Sequence, residues 1–171
     1  RLVSDWSSDV CSSDLDGNSA NGRGRIYSLD LASNDVRLAA DSGTPDMATG
    51  LAVGDTWSNP DNLAIDANGN IYGIEDQDGG RADIWFLQDI DRDGVAEAVG
   101  KWASLSTPGA EPTGLYFDPF NPDVAYVNVQ HPTSGNDLLV QITAVPEPET
   151  CSMVLAGLGL LGATARRRRR A

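Results

Sequence analysis

The feature that most constrains this chain is a repeat. The segment Pro60-Asp61-Asn62-Leu63-Ala64-Ile65-Asp66-Ala67-Asn68-Gly69-Asn70-Ile71-Tyr72-Gly73-Ile74-Glu75-Asp76 reads as a short apolar strand, an Asn-Gly turn, and a second strand running into two acids. Asn-Gly between apolar runs signals a hairpin whose two central residues both take positive φ. The echo is Glu111-Pro112-Thr113-Gly114-Leu115-Tyr116-Phe117-Asp118, a Pro/Asn-rich turn, and Val124-Ala125-Tyr126-Val127-Asn128-Val129-Gln130-His131. Leu63 and Leu115 lie 52 residues apart; Tyr72 and Tyr126, and Asp83-Ile84 and Asp137-Leu138, lie 54 apart. A unit of about 50 residues carrying several strands is the sequence form of a β-propeller blade.

The rest of the chain fits that unit. Residues 24–30 alternate as a half-buried strand and 35–39 return antiparallel, which predicts the outer two strands of a first blade. Residues 41–59 are rich in Gly, Thr, Ser and Pro and predict an inter-blade loop. The second blade takes strands at 63–66, 71–75, 83–87 and 96–104, and the third at 114–117, 125–128 and 138–143. The predicted fold is all-β: a partial β-propeller of about two to two and a half four-stranded antiparallel blades, followed by a C-terminal apolar helix.

Charge and cysteine content exclude several classes of function. Residues 16–145 hold 20 Asp and Glu against 6 Lys and Arg, a field that repels nucleic acid and anionic membranes and attracts hard cations. Solubility of an exported protein explains the same excess. The two cysteines, Cys11 and Cys151, lie outside this body, so it has no disulfide framework or thiolate metal site. Asp5 to Leu15 back-translates into a standard sequencing-library adapter read in frame. Residues 1–15 are therefore expected to be a disordered artefact that adds no strand, at which the reading frame is truncated. The expected domains are 1–15, a propeller part at 16–145, and a C-terminal signal at 146–171.

That signal has three parts in order. Pro146-Glu147-Pro148 precedes an apolar stretch, residues 151–165, and then Arg166 to Arg170. The apolar part is short for a stable span of about 20 residues and suits a sorting segment, with the arginines left on the cytoplasmic side. The tail resembles the PEP-CTERM sorting signal of Gram-negative bacteria. The resemblance implies an exosortase as partner, transient anchoring in the inner membrane through 151–165, and export to the cell surface or extracellular matrix.

The body resembles a family as well. Pro60-Asp61-Asn62-Leu63-Ala64, Glu75-Asp76, Glu111-Pro112-Thr113-Gly114 and Tyr126-Val127-Asn128-Val129-Gln130-His131-Pro132 are similar, in that order, to the C-terminal part of PhoX-type proteins. The resemblance implies an exported propeller. It also implies, for the full-length form, a metal-dependent phosphoric monoester hydrolase with calcium and iron as cofactors and a phosphoester as substrate. The chain alone, as a C-terminal fragment, is expected to be inactive. The alternative is a non-catalytic, calcium-stabilised surface or matrix propeller.

Several residues are candidates for the chemistry. Asp61, Glu75, Asp76 and Glu111 fall at inner-strand ends of neighbouring blades, where carboxylates sharing one axial pocket need a cation or donors to offset desolvation. Capping of strands and loops is the structural reading of the same acids. Asp89, Asp91, Asp93 and Gly94 match the start of an EF-hand-like loop, with Glu97 at position nine and Gly100 where a bidentate Glu belongs. A solvated hairpin turn is the alternative. His131 is the sole histidine, which excludes multi-His zinc sites, and no Ser-His-Asp pattern exists. Glu111 and His131 are the catalytic candidates, His131 either meeting substrate phosphate or a metal, or holding a loop carbonyl. Asn128 and Gln130 share one strand face and are read as satisfying backbone groups.

Overall fold

The computed structural model of the chain describes residues 8–13, 23–76 and 82–144. Among the described residues, ten strands run in order: β1 (Ser8–Ser13), β2 (Arg25–Asp30), β3 (Asp35–Ala40), β4 (Pro60–Ile65), β5 (Ile71–Glu75), β6 (Ala82–Gln88), β7 (Ala98–Leu105), β8 (Glu111–Phe117), β9 (Val124–Gln130) and β10 (Leu138–Thr143). They form three antiparallel sheets, β1-β2-β3, β4-β5-β6-β7 and β8-β9-β10. The all-β class is as the sequence predicts. The C-terminal helix predicted at 151–165 and the sorting residues Pro146, Glu147 and Pro148 lie outside the described residues.

The strands form where side chains alternate, and the central strand shows what surrounds it. Every residue of β5 is buried. Its period of two sends Ile71, Gly73 and Glu75 to one face, and Tyr72 and Ile74 to the other. The first face packs on Ile26, Trp57, Trp85, Leu87 and Val99, between the first and second sheets. The second packs on Ile84, Leu115, Ala125 and Val127, between the second and third. Gly73 sits where the first two sheets pack tightly: a Cβ there would lie 2.7 Å from Ile26 Cδ1.

Three local expectations are corrected. The Asn-Gly turn is not a two-residue hairpin with two positive φ angles; Ile65 pairs with Ile71 across a five-residue loop, and only Gly69 of the pair is positive, at 81°. Asp66 dictates this geometry, because its Oδ1 accepts the N–H groups of Asn68 and Asn70 and its carbonyl accepts that of Gly69. Such an Asx turn competes with the tight hairpin and prevails here.

The inner strands start earlier than predicted, at Pro60 and Glu111. Proline lacks the N–H a ladder needs, but it is tolerated at the first residue of a strand or at a bulge. Register shifts follow each start, between Pro60 and Asn62 and between Thr113 and Tyr116. Gly114 supplies the positive φ of 58° inside the second shift.

The sequence predicts no strand within residues 1–15, yet six of them form β1, paired with β2 from Ser8↔Asp30 to Ser13↔Arg25. The physical cause is the edge of β2, a row of main-chain donors and acceptors that recruits a strand with little regard to side chains. β1 lies beside β4, and β4 beside β8.

Among the described residues, the third sheet is covered on one face only. Val127, Leu115 and Ala125 face the second sheet, while Tyr116 and Leu139, on the opposite face, are exposed.

Candidate functional site: carboxylates at the strand ends

β4 and β8 begin, and β5 and β9 finish, at one end of the sheets. That common end gathers Asp61, Asp76 and Glu111. Each offers a carboxylate oxygen, and the three oxygens lie within 4.8 Å of one another. Asp61 is exposed, and the other two are half-buried. The backbone sets this grouping: Asp76 N–H donates to the Asn59 carbonyl at 2.8 Å, which holds the end of β5 against the start of β4. Glu111 pairs in register with Gln130, whose Nε2 donates to Glu111 Oε1 at 2.7 Å. Asn62 Nδ2 donates to Asp61 Oδ2 at 2.9 Å.

Glu75 does not join this group. Strand parity turns it into the interface between the first two sheets, where it is 1% exposed. Oε1 accepts Ser58 N–H and Trp85 Nε1–H, both at 2.7 Å, and Oε2 accepts Asp83 N–H at 2.9 Å. Burial pushes its carboxyl up to about 7, against the three donors that pull it down. It therefore staples the loop before β4 to β6, and so positions Asp61 indirectly.

The turn between β6 and β7 makes a second group, from Asp89, Asp91 and Glu97, again with oxygens within 4.8 Å. Asp93, expected as its third ligand, turns instead to Arg37 at 3.4 Å and caps Val95 N–H. Asp89 accepts Asp93 N–H and Gly94 N–H, and Glu97 accepts Ile90 N–H. Partial burial raises the Asp89 carboxyl above its usual range.

His131 follows β9 at the same end as Glu111, in a left-handed conformation with φ of 54°. It is exposed, and its backbone N–H donates to Asp137 Oδ1 at 3.1 Å. Asp137 is thus the partner that holds this strained residue. Nothing in the sequence signals Gln130 as the clamp on Glu111, because the pairing spans 19 residues and depends on β8–β9 register. Ser58 and Trp85, as partners of Glu75, are hidden for the same reason.

Carboxylates from two neighbouring antiparallel sheets thus meet at one strand end of a fold that is all-β among the described residues. Residues 6–133 match the family model described as alkaline phosphatase PhoX, which spans most of the chain. This chain belongs to the alkaline phosphatase PhoX family. Residues 144–170 match the PEP-CTERM protein-sorting motif, the mark of an exported, sorted protein recognised by an exosortase. No curated protein and no solved structure matches the chain. Among the described residues, no helix is long and apolar enough to cross a membrane.

Proposed function

We propose that Asp61, Asp76 and Glu111 are ligands on the divalent-metal face of an exported phosphoester hydrolase, within a β-propeller completed by further blades. One observation carries this reading: three carboxylate oxygens from adjacent sheets lie within 4.8 Å of one another. A hard cation such as calcium takes oxygen ligands at about 2.3–2.6 Å, so oxygens on one ion lie up to about 5 Å apart. The donor set fits calcium; iron rests on the family likeness alone. A bound cation at this face would polarise a phosphoryl oxygen and stabilise the charge that develops on it.

The chain's own residues prepare that face. Gln130 fixes the direction of Glu111, Glu75 fixes the loop that leads into the strand carrying Asp61, and His131 stands exposed at the same end, where an incoming phosphate would meet it. The open face of the third sheet, with Tyr116 and Leu139 exposed, supports a further blade packing there. In this reading residues 16–145 form the propeller part. Residues 146–171 direct exosortase processing, transient inner-membrane anchoring and delivery to the cell surface or matrix.

The second reading, a non-catalytic calcium-stabilised surface propeller, is favoured by the local group Asp89, Asp91 and Glu97. Calcium titration of the chain and of its Asp76→Asn, Glu111→Gln and Asp91→Ala forms separates the two. The metal-face reading expects at least about tenfold weaker binding in Asp76→Asn and Glu111→Gln. Binding lost only in Asp91→Ala selects the second reading. A parallel assay with p-nitrophenyl phosphate is expected to show no hydrolysis by this chain alone; turnover would remove the need for a completed ring.

A further inference from the structure

A cavity of about 320 Å³ lies between the second and third sheets, at the strand ends opposite Asp61, Asp76 and Glu111. About five residues of strand separate the two ends, roughly 16 Å. The apolar side of the cavity includes Tyr72, Trp102 and Phe117. Their rings form one cluster, with centroids 4.7 Å apart for Tyr72–Phe117, 5.6 Å for Tyr72–Trp102 and 5.8 Å for Trp102–Phe117. Trp102 and Phe117 remain half-buried, so the cluster is not sealed.

The polar side carries one sign of charge. Asp66, Asp118 and Asp123 line the cavity, and among the described residues no Lys, Arg or His does. Asp66 is fully engaged by Asn68, Asn70 and the Tyr72 hydroxyl. Asp118 Oδ1 accepts the N–H groups of Phe120 and Asn121. Its Oδ2, and both oxygens of Asp123, accept no hydrogen bond from the described residues.

We propose that this cavity is a binding site for a small organic cation, an ammonium head on an apolar body, held by the Tyr72–Trp102–Phe117 cluster and by Asp118 and Asp123. The chemistry excludes the other classes. An anion meets three carboxylates at close range. A hard metal ion finds few free oxygen donors and much aromatic carbon in this lining. A neutral apolar molecule would strip water from Asp118 and Asp123 and return nothing. An ammonium of low hydration satisfies both sides at once, by attraction to the ring faces and by complementing the carboxylates. The volume lies at the small end of ligand pockets, about 300–1,000 Å³. Burial and the neighbouring Asp66 push the Tyr72 hydroxyl up to about 12, so its ring stays neutral and its O–H stays a donor. The site shares no residue with the metal face, and neither depends on the other.

The test uses choline and its uncharged tert-butyl analogue as probes, titrated into the full chain with chelator present to silence the metal groups. Choline is expected to bind at least about tenfold more tightly than the analogue. The Asp118→Asn/Asp123→Asn double variant should weaken choline several-fold and flatten its salt dependence, and Trp102→Phe should weaken it too. Circular dichroism checks that each variant is folded. Should the tryptophan variant unfold, the double variant decides, since Asp118→Asn retains a side-chain oxygen able to cap the following turn. Equal binding of the two probes, no saturable binding of choline, or choline binding unchanged in the double variant overturns the proposal.

Discussion

Tyr72 and Tyr126 occupy the same place in successive repeats, 54 residues apart, and the molecule treats them differently. Tyr72 is buried among Phe86, Trp102 and Phe117, with its hydroxyl bonded to Asp66. Tyr126 is half-buried and pairs with exposed Tyr116 on the face of the third sheet that nothing described covers. Asp83 and Asp137 repeat the contrast. The first is buried, ion-paired with Lys101 and accepting the Ser104 hydroxyl, while the second is exposed and, among the described residues, accepts the His131 N–H. The repeat fixes where a side chain starts. The neighbouring sheet fixes what that side chain is worth.

The contrast breaks most visibly at the tyrosines. Tyr72→Ala is expected to cost about 3–5 kcal/mol and Tyr126→Ala no more than about 1 kcal/mol, read by urea unfolding. Equal losses would mean the third sheet is covered in solution. The next effect concerns Glu75, whose counterpart 54 residues on is buried Val129. The folded-state pKa of Glu75 is raised from 4.5 to about 7, so the folded chain holds a proton that the unfolded chain releases. Stability is therefore highest below pH 4.5 as far as this group is concerned. It falls as pH rises through about 7, by roughly 2–3 kcal/mol. Thermal melts of wild type against Glu75→Gln across that window check the sign; a difference that grows in favour of wild type with pH would refute it.

Smaller effects sharpen the comparison. Asp83→Ala leaves Lys101 and Ser104 without their shared acceptor and should cost about 1–3 kcal/mol, against about 0.5 kcal/mol for Asp137→Ala. Leu139→Ser is expected to leave the melting temperature within about 1 °C of wild type and to raise the soluble yield, because it removes an exposed leucine from an open sheet edge. A large loss of stability in Leu139→Ser would place that leucine in a contact.

Much of this was legible in the sequence. Alternation and the repeat located the strands of all three sheets except β1, since period two and a recurring unit are properties of the chain itself. What escaped depended on parity and register. Glu75 and Asp76 are adjacent acids at one strand end, and the chain does not say which faces inward until both faces of β5 are known to be buried. Asp93 fits a ligand position by spacing, but Arg37 competes for it from another sheet. Pro60 and Pro112 each lack the donor a ladder needs, yet both lie at the start of strands beside register shifts. β1 escaped because its pairing is a main-chain affair that its serine-rich sequence does not advertise.

Gly73 has a consequence for how sequences of this kind can diverge. The side chain it lacks would occupy the space of the Ile26 δ-methyl, 2.7 Å away, in a sheet far removed in sequence. The two positions therefore share a single volume, and neither can change independently. Gly73→Ala should be poorly tolerated alone and partly rescued by Ile26→Val, which deletes the atom in conflict, so the double-mutant cycle should show a coupling of about 0.5–3 kcal/mol. Among relatives the pair is expected to drift together, a bulkier residue on one sheet answered by a trimmed one on the other.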